Sequence, residues 1–261
     1  MAITAFKRYE MKFVLTEEQY QTLLPQITAR MNADEYCRNG KSYNIYNIYY
    51  DTMDSSLIRN SLLKPDYKEK LRLRSYSIPT SSASKVFLEL KKKTGGIVHK
   101  RRAAMTLREA YDFVEAGKKP VVENYMGKQI INELDYFLSR NKVTPAAYIS
   151  YTRSAFIGKQ DTNFRITFDH DITTRRKDLF LENGSYGEEL LEKGQHLMEV
   201  KISTAVPLWL SQTLSNLKIY KTSFSKYGCE YKKYTCQNSV RTLNMNYKRR
   251  NENVGINLCN I

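Results

Sequence analysis

Apolar and polar residues alternate with a period of two in several short runs along the chain. In the first run, Tyr9, Met11 and Phe13 fall on one side, and Glu10 and Lys12 fall on the other. Such alternation is typical of β-strands that bury one face. Further segments of this kind are predicted over 44–51, 70–74, 85–93, 98–104, 147–153, 165–169 and 198–202. The pattern therefore predicts about eight strands, most of them with one charged face.

Four segments between these strands have the polar start and the spacing of helices: 16–31, 106–115, 124–140 and 208–217. The first begins with Thr16 and has Gln19 three residues later, and the second begins with Thr106 followed by Glu109. Both pairs match the capping box, in which side chains satisfy free backbone N–H groups at a helix start. Helices and strands are thus interspersed, which predicts a mixed α+β fold.

The chain has no repeat of fixed period and no Pro- or Ser-rich linker. We therefore expect one domain over residues 1–237. Residues 238–261 are rich in Asn and Arg and have little periodicity, which is typical of a flexible C-terminal tail. No stretch approaches the roughly 18 to 20 apolar residues of a membrane helix, and the N-terminus has no apolar block of signal-peptide length. A cytoplasmic location is expected.

The composition adds a strong positive charge. The 261 residues include 42 Lys and Arg against 27 Asp and Glu, which gives a formal net charge of +15. This excess predicts an anionic partner, and nucleic acid, anionic lipid and small polyphosphate compounds are the candidates. The four cysteines form no C-x-x-C pair, which argues against a zinc site or a redox disulfide.

The position of the charges narrows these candidates. Helices need an apolar surface to pack on, so they should cover the apolar face of the sheet and leave the charged faces opposite one another. Closing such a sheet gives a barrel with a charged interior and no exposed edges. Buried charge is costly unless it is compensated, and Arg and Lys dominate these faces, so the arrangement requires an anionic ligand.

Three Glu-x-Lys triplets lie on separate predicted strands, at residues 10–12, 89–91 and 199–201. Residues two apart in a strand share a face. Each triplet therefore places a carboxylate beside an ammonium group in the same interior.

The order of several motifs resembles that of a known family. The motifs are Tyr9-Glu10-Met11-Lys12-Phe13, Tyr49-Tyr50-Asp51-Thr52, Leu71-Arg72-Leu73-Arg74-Ser75-Tyr76, Phe87-Leu88-Glu89-Leu90-Lys91, Tyr151-Thr152-Arg153, Arg165-Ile166-Thr167-Phe168-Asp169, Met198-Glu199-Val200-Lys201 and Ser225-Lys226-Tyr227. Together they resemble the VTC domain family. This family includes the catalytic domain of the vacuolar transporter chaperone polyphosphate polymerase and its bacterial relatives. That family belongs to the triphosphate tunnel metalloenzyme superfamily, and the resemblance spans residues 6–234.

The resemblance implies an α+β fold with an eight-stranded antiparallel β-barrel tunnel, a charged lumen and helices packed outside. It also implies a polyphosphate polymerase that transfers the γ-phosphoryl group of ATP onto a growing inorganic polyphosphate chain, with Mn²⁺ or Mg²⁺ as cofactor. On this basis the expected catalytic residues are Arg72, Arg74, Lys91, Arg153, Arg165 and Glu199. The expected phosphate- or nucleotide-binding residues are Lys12, Lys93, Lys100, Arg102, Lys201 and Lys226.

The expected roles agree with the chemistry of these side chains. Arginine binds phosphate oxygens through a planar fork, and lysine supplies point charges. The resemblance implies Glu199 as the metal ligand, and a carboxylate, with help from Glu10 or Glu89, suits this role because Mg²⁺ and Mn²⁺ prefer oxygen ligands. In the run 100–102 three basic residues are adjacent, and only one or two can face inward. The sequence leaves that choice open.

Two other functions stay open at this point. A tunnel-fold triphosphatase would hydrolyse inorganic or nucleoside triphosphate in the same interior. A noncatalytic binder would hold polyphosphate or nucleic acid, and the 20 tyrosines could stack on bases. The carboxylates of the three triplets would repel a nucleic-acid backbone, so nucleic acid is not the expected partner. A separate membrane protein is a further candidate partner, and would bring the chain to a membrane.

Overall fold

A computed structural model describes residues 9–95, 97–203 and 205–239. The strands are β1 Tyr9–Leu15, β2 Met31–Ala33, β3 Tyr43–Thr52, β4 Lys68–Ser75, β5 Lys85–Thr94, β6 Ile97–Thr106, β7 Val143–Gly158, β8 Arg165–Arg175, β9 Glu188–Glu189, β10 His196–Ile202 and β11 Lys221–Thr222. The helices are α1 Glu17–Arg30, α2 Ser56–Leu62, α3 Leu107–Ala116, α4 Tyr125–Arg140, α5 Leu208–Asn216 and α6 at 226–239. Two short 3₁₀ helices cover Glu35–Gly40 and Leu181–Asn183.

All strands join one antiparallel sheet in the order β11-β1-β10-β8-β7-β3-β4-β5-β6, with β2 beside β7 and β9 beside β8. The eight predicted strands are present as β1, β3 to β8 and β10. The described residues do not form the expected closed eight-stranded barrel, because the sheet has 11 strands and the path ends at β11 and β6. The three additional strands have only two or three residues each, too few to show an alternating pattern.

The outward face of β3 to β6 packs against α3 and α4. Ile48, Leu73 and Leu88 from the strands and Phe113 and Phe137 from the helices belong to one core, and all five are at least 98% buried. This is the expected arrangement, in which helices cover the apolar face and turn the charged face inward.

A second core joins the other half of the sheet to α1 and α5. Phe13 of β1 and Phe168 of β8 pack with Leu23 and Ile27 of α1 and Leu210 of α5. The sequence predicted both helices, and α1 begins with the expected capping box. The capping box at the start of α3 is also present. These helices therefore fix the sheet from outside.

A third cluster lies on the inner face and joins α2 and α6 to the strands. Ile58 of α2 and Tyr227 of α6 belong to it together with the inward side chains of Tyr49 and Leu197. Asp51 is fully buried at the end of β3 and accepts hydrogen bonds from the backbone N–H of Ile58 at 3.0 Å and from the Tyr227 hydroxyl at 2.8 Å. This carboxylate therefore links both helices to the sheet.

Two further expectations concern the chain ends and membranes. Residues 238 and 239 belong to α6, and the rest of the predicted tail lies outside the described residues. In the part of the chain that the structure describes, none of the helices is both long and apolar enough to cross a membrane.

Candidate functional site

The inner face of the sheet surrounds a cavity of about 720 Å³. Strands near both ends of the path, β1 and β6, contribute side chains to it, so the sheet curls around the cavity. Among the described residues, ten lining side chains are basic and three are acidic, an excess of seven positive charges. The basic residues are Lys12, Lys70, Arg72, Arg74, Lys91, Lys100, Arg102, Arg153, Lys201 and Lys226, and the acidic residues are Glu10, Glu89 and Glu199.

The alternating pattern is the reason that these charges converge. In β4, Leu71 and Leu73 are fully buried in the outer core, so Arg72 and Arg74 project into the cavity. Successive strand residues point to opposite faces, and the apolar set fixes the register. A slip of one residue would bury the guanidinium groups in the core.

Glu89 organises the cations of one wall. Its carboxylate contacts Arg72 Nη2 at 2.6 Å, Lys100 Nζ at 2.7 Å and Arg102 Nε at 2.5 Å, and its side chain is only 1% exposed. Burial alone would raise the pKa of Glu89, but the charges of Arg72, Arg74 and Lys100 outweigh burial and hold that pKa well below its usual range. Glu89 is therefore ionised and fixes three cations around itself.

A second buried carboxylate organises the opposite wall. Asp169 accepts from Arg153 Nε at 2.6 Å and from Arg153 Nη2 at 2.7 Å, and it also forms an ion pair with Lys226. Arg153 and Asp169 are direct partners in the β7–β8 register. Burial opposes ionisation of Asp169, but the charges of Arg153 and Lys226 prevail and lower its pKa. The sequence analysis did not assign Asp169 to the site, although it shares a strand face with Arg165.

The third group contains the other two carboxylates of the cavity. Lys12 Nζ lies 3.3 Å from Glu10 Oε1 and 3.1 Å from Glu199 Oε1. Burial raises the pKa of Glu199, but Lys226, Lys12 and Arg153 act more strongly and lower it well below its usual range. Both carboxylates therefore approach the same point of the cavity, where a cation already bridges them.

The carboxylates differ in how well they suit a metal ion. The described residues contain no group of three or more His, Cys, Asp or Glu side chains that could hold a metal. Mg²⁺ is commonly held by one or two carboxylates together with substrate phosphates. Glu10 and Glu199 fit that requirement better, because both lie beside Lys12 and their contacts with cations are longer: Lys226 Nζ lies 3.6 Å and Arg153 Nη2 lies 4.0 Å from Glu199. Glu89 does not fit, because its two oxygens already contact Arg72, Lys100 and Arg102.

The structure resolves the choice left open at residues 100–102. Lys100 and Arg102 point into the cavity and contact Glu89. Arg101 points outward, and its Nε donates to Glu133 Oε1 of α4 at 2.8 Å. This result follows from strand alternation, because the residues on either side of Arg101 share a face.

Two expected site residues lie outside the cavity lining. Lys93 is two residues beyond Lys91 on β5 and pairs with Lys68 near the end of that ladder. Arg165 is the first residue of β8; it is exposed and its Nε donates to the carbonyl of Thr162 at 3.3 Å. Both residues lie an even number of positions from inward-facing residues of their strands, but they are at the strand ends. Strand alternation alone could not show where along the strand the cavity ends.

Lys70 was missed as a site residue, although it stands two positions before Arg72 on the same face. Its Nζ donates to Ser225 Oγ at 3.0 Å, and it has no acidic partner among the ion pairs of the described residues. Burial and the neighbouring charges of Lys91, Lys68 and Lys12 lower the pKa of Lys70 to about 8, although Tyr49 acts in the opposite direction. Lys70 is therefore a cation whose charge a bound anion would stabilise.

Comparison with a solved structure of low sequence identity shows a similar fold. A candidate adenylate cyclase from Bacillus halodurans matches with a TM-score of 0.52 and 15% identity, over 84% of this chain and 95% of that chain. A second candidate adenylate cyclase, from Vibrio parahaemolyticus, gives a TM-score of 0.43 and 12% identity over 87% of this chain and 99% of the other.

The family comparison covers the whole of the site. The model of the VTC domain matches residues 7–235. This range begins before β1, which supplies Glu10 and Lys12, and it extends beyond Lys226 at the start of α6. All the cavity-lining strands lie within it, and the chain therefore belongs to the VTC domain family.

Proposed function

We propose that this protein is a phosphotransferase that extends inorganic polyphosphate with the γ-phosphoryl group of ATP. The excess of positive charge around one cavity, seven among the described lining side chains and six once Asp169, the partner of Arg153 and Lys226, is counted, is the observation that carries the proposal. A ligand with several linked phosphates compensates such a surface better than a single small anion does, because each phosphate group can meet a different cation. Membership of the VTC domain family supports the polymerase reaction in particular.

Two arginines are held in place before any ligand binds. Arg74 Nε donates to Asn47 Oδ1 at 2.9 Å, and its Nη2 donates to the Tyr151 hydroxyl at 3.0 Å. Arg72 is fixed by Glu89 and by the Tyr49 hydroxyl at 3.3 Å. Phosphoryl transfer requires mainly positioning and stabilisation of charge on the transferred group. Preorganised guanidinium groups meet both requirements.

The carboxylates would hold the divalent metal that this type of reaction uses. Glu199 and Glu10 are the side chains that would bind Mg²⁺ or Mn²⁺. When bound, the ion would neutralise charge on the phosphate oxygens. Lys12, which bridges the two carboxylates at 3.1 and 3.3 Å, would contribute positive charge beside them.

The acceptor explains why no strong general base is required. An oxygen of the terminal phosphate of polyphosphate is already ionised near neutral pH and attacks the γ-phosphorus directly. The bond from that phosphorus to the bridging oxygen breaks, and ADP leaves with the electron pair. Water as the acceptor would need positioning or deprotonation, for which Glu10 would be the available carboxylate.

The decisive experiment incubates the purified protein with ATP and Mn²⁺ or Mg²⁺, with and without a short polyphosphate primer, and separates the products by gel electrophoresis. We expect ADP together with a ladder of long polyphosphate. Arg74→Ala and Glu199→Ala should each abolish this turnover while thermal unfolding remains cooperative. Orthophosphate without polymer would show that the protein is a triphosphatase and not a polymerase. Unchanged ATP would contradict both activities.

A further inference from the structure

Four aromatic rings form a continuous group beside the cationic cavity. They are Tyr36 in the first 3₁₀ helix, Tyr43 at the start of β3, Tyr76 just after β4, and Phe87 in β5. The ring centroids lie 5.9 Å apart for Tyr36 and Tyr43, 6.2 Å for Tyr43 and Tyr76, and 5.6 Å for Tyr76 and Phe87. We call this group the aromatic rim.

Two rings of the rim are exposed, unlike the aromatic residues of the core, and Tyr43 and Phe87 are half-buried. Tyr36 is 67% exposed and Tyr76 is 39% exposed, whereas Phe113 in the outer core is fully buried. Connected aromatic side chains that remain in contact with solvent commonly mark a surface that binds something. Tyr43 also packs against the inner cluster, and Tyr76 is the ring of this group that lines the charged cavity.

Tyr76 connects the rim to the phosphate-binding groups. Its side chain lines the cavity, and its hydroxyl accepts a hydrogen bond from Arg102 Nη2 at 2.6 Å. The guanidinium carbons of Arg102 and Arg74 lie 5.7 and 6.0 Å from the Tyr76 ring centroid. A flat apolar surface and two anion-binding groups are therefore within reach of a single ligand.

We propose that the Tyr76 ring stacks against the base of a purine nucleoside triphosphate whose phosphates bind Arg74 and Arg102. This inference rests on the proposed function and adds a site for the base to it. Every base has a π-face that can stack on an aromatic side chain. Tyr43 and Phe87 contact the Tyr76 ring, at interplanar angles of 54° and 73°. The rim thus distinguishes a nucleotide from inorganic polyphosphate, which has no base.

Two substitutions separate the ring from its hydroxyl group. Both Tyr76→Phe and Tyr76→Leu lose the hydrogen bond to Arg102, but only Tyr76→Phe keeps an aromatic ring. Titration calorimetry without divalent metal would measure the Kd for ATP and for inorganic triphosphate. We expect Tyr76→Leu to bind ATP about tenfold more weakly than Tyr76→Phe, because one stacked base is lost. The two variants should bind inorganic triphosphate within about twofold of each other.

The same measurement with UTP gives a second readout. A preference for ATP over UTP should be present in Tyr76→Phe and absent in Tyr76→Leu, because the larger purine covers more of the ring. Tyr125→Leu serves as the matched control, because Tyr125 is an 80% exposed tyrosine of α4. It should leave the Kd of every ligand unchanged. Both variants must unfold cooperatively in the presence of inorganic triphosphate.

The outcomes distinguish this inference from the proposed function. Equal losses for ATP and inorganic triphosphate, or no difference between the Phe and Leu variants, would overturn base stacking and leave the phosphate site intact. If the unmodified protein bound neither ATP nor inorganic triphosphate, both the proposed function and this inference would fall.

Discussion

At the scale of single residues, buried carboxylates set the geometry of the cations. Glu89 shows this clearly, since its side chain is 1% exposed and it holds Arg72, Lys100 and Arg102 around two oxygens. Breaking a buried ion pair from one side leaves uncompensated charge and typically costs about 3 kcal/mol or more. A bound polyanion could replace part of the missing negative charge. We therefore expect the same residue to affect both the stability of the protein and its response to a bound anion.

We predict that Glu89→Gln lowers the free energy of unfolding by about 3 kcal/mol. The Arg and Lys groups that it leaves unpaired should then be compensated by added inorganic triphosphate. Thermal unfolding should consequently show a larger upward shift of Tm with inorganic triphosphate in this variant than in the unmodified protein.

Glu133 provides a matched control on the opposite face of the sheet. Its carboxylate binds Arg101 Nε at 2.8 Å, outside the cavity. The change Glu133→Gln should leave the Tm shift with inorganic triphosphate unaltered. An equal or smaller shift in Glu89→Gln would show that bound inorganic triphosphate does not compensate the cations that Glu89 holds.

At the scale of elements, strand periodicity predicted more of the fold than helix periodicity did. Each of the eight long strands packs aliphatic residues of one face into a core, and this produces the alternation of apolar and polar residues that predicted them. Helix α2 was not predicted, because seven residues are too few to show a period. Helix α6 was missed for a different reason: its inner positions include Lys226, Tyr227 and Glu230, which form no aliphatic stripe. The same gap affects the site, because Lys226 lies on the unpredicted helix α6 and was assigned to the cavity only by family resemblance.

Asp51 provides the test of how α2 and α6 are held. We predict that Asp51→Ala lowers the free energy of unfolding by about 3 kcal/mol, because the backbone N–H of Ile58 and the Tyr227 hydroxyl lose a buried, charged acceptor. Tyr227→Phe removes only one of these bonds and should cost about 1 kcal/mol. Chemical denaturation of both variants measures the difference. A loss below about 0.5 kcal/mol for Asp51→Ala would mean that apolar packing alone holds both helices.

At the scale of the whole molecule, the charge is separated between two surfaces. The formal net charge is +15, and within the described part of the chain ten Lys and Arg residues line one cavity of about 720 Å³. Other cations, such as Arg101 and Lys92, lie on the outer face, where both approach Glu133. A polyanion could therefore bind inside, through converging charges, or outside, through the general positive field.

Chain length and salt separate these two modes of binding. If polyphosphate binds in the cavity, its affinity should rise with chain length only until the cavity is filled and then level off. A chain bound outside has no such limit, and its affinity should continue to rise as more surface cations are met. Each phosphate contact releases counterions, so the slope of log K against log salt should level off at the same chain length. Calorimetric titration with polyphosphates of defined length, at several salt concentrations, measures both quantities. Arg101→Gln should leave both the affinity and the salt dependence unchanged. An affinity that keeps rising with chain length, and that is lower in Arg101→Gln, would place the polyanion on the outer surface and contradict binding in the cavity.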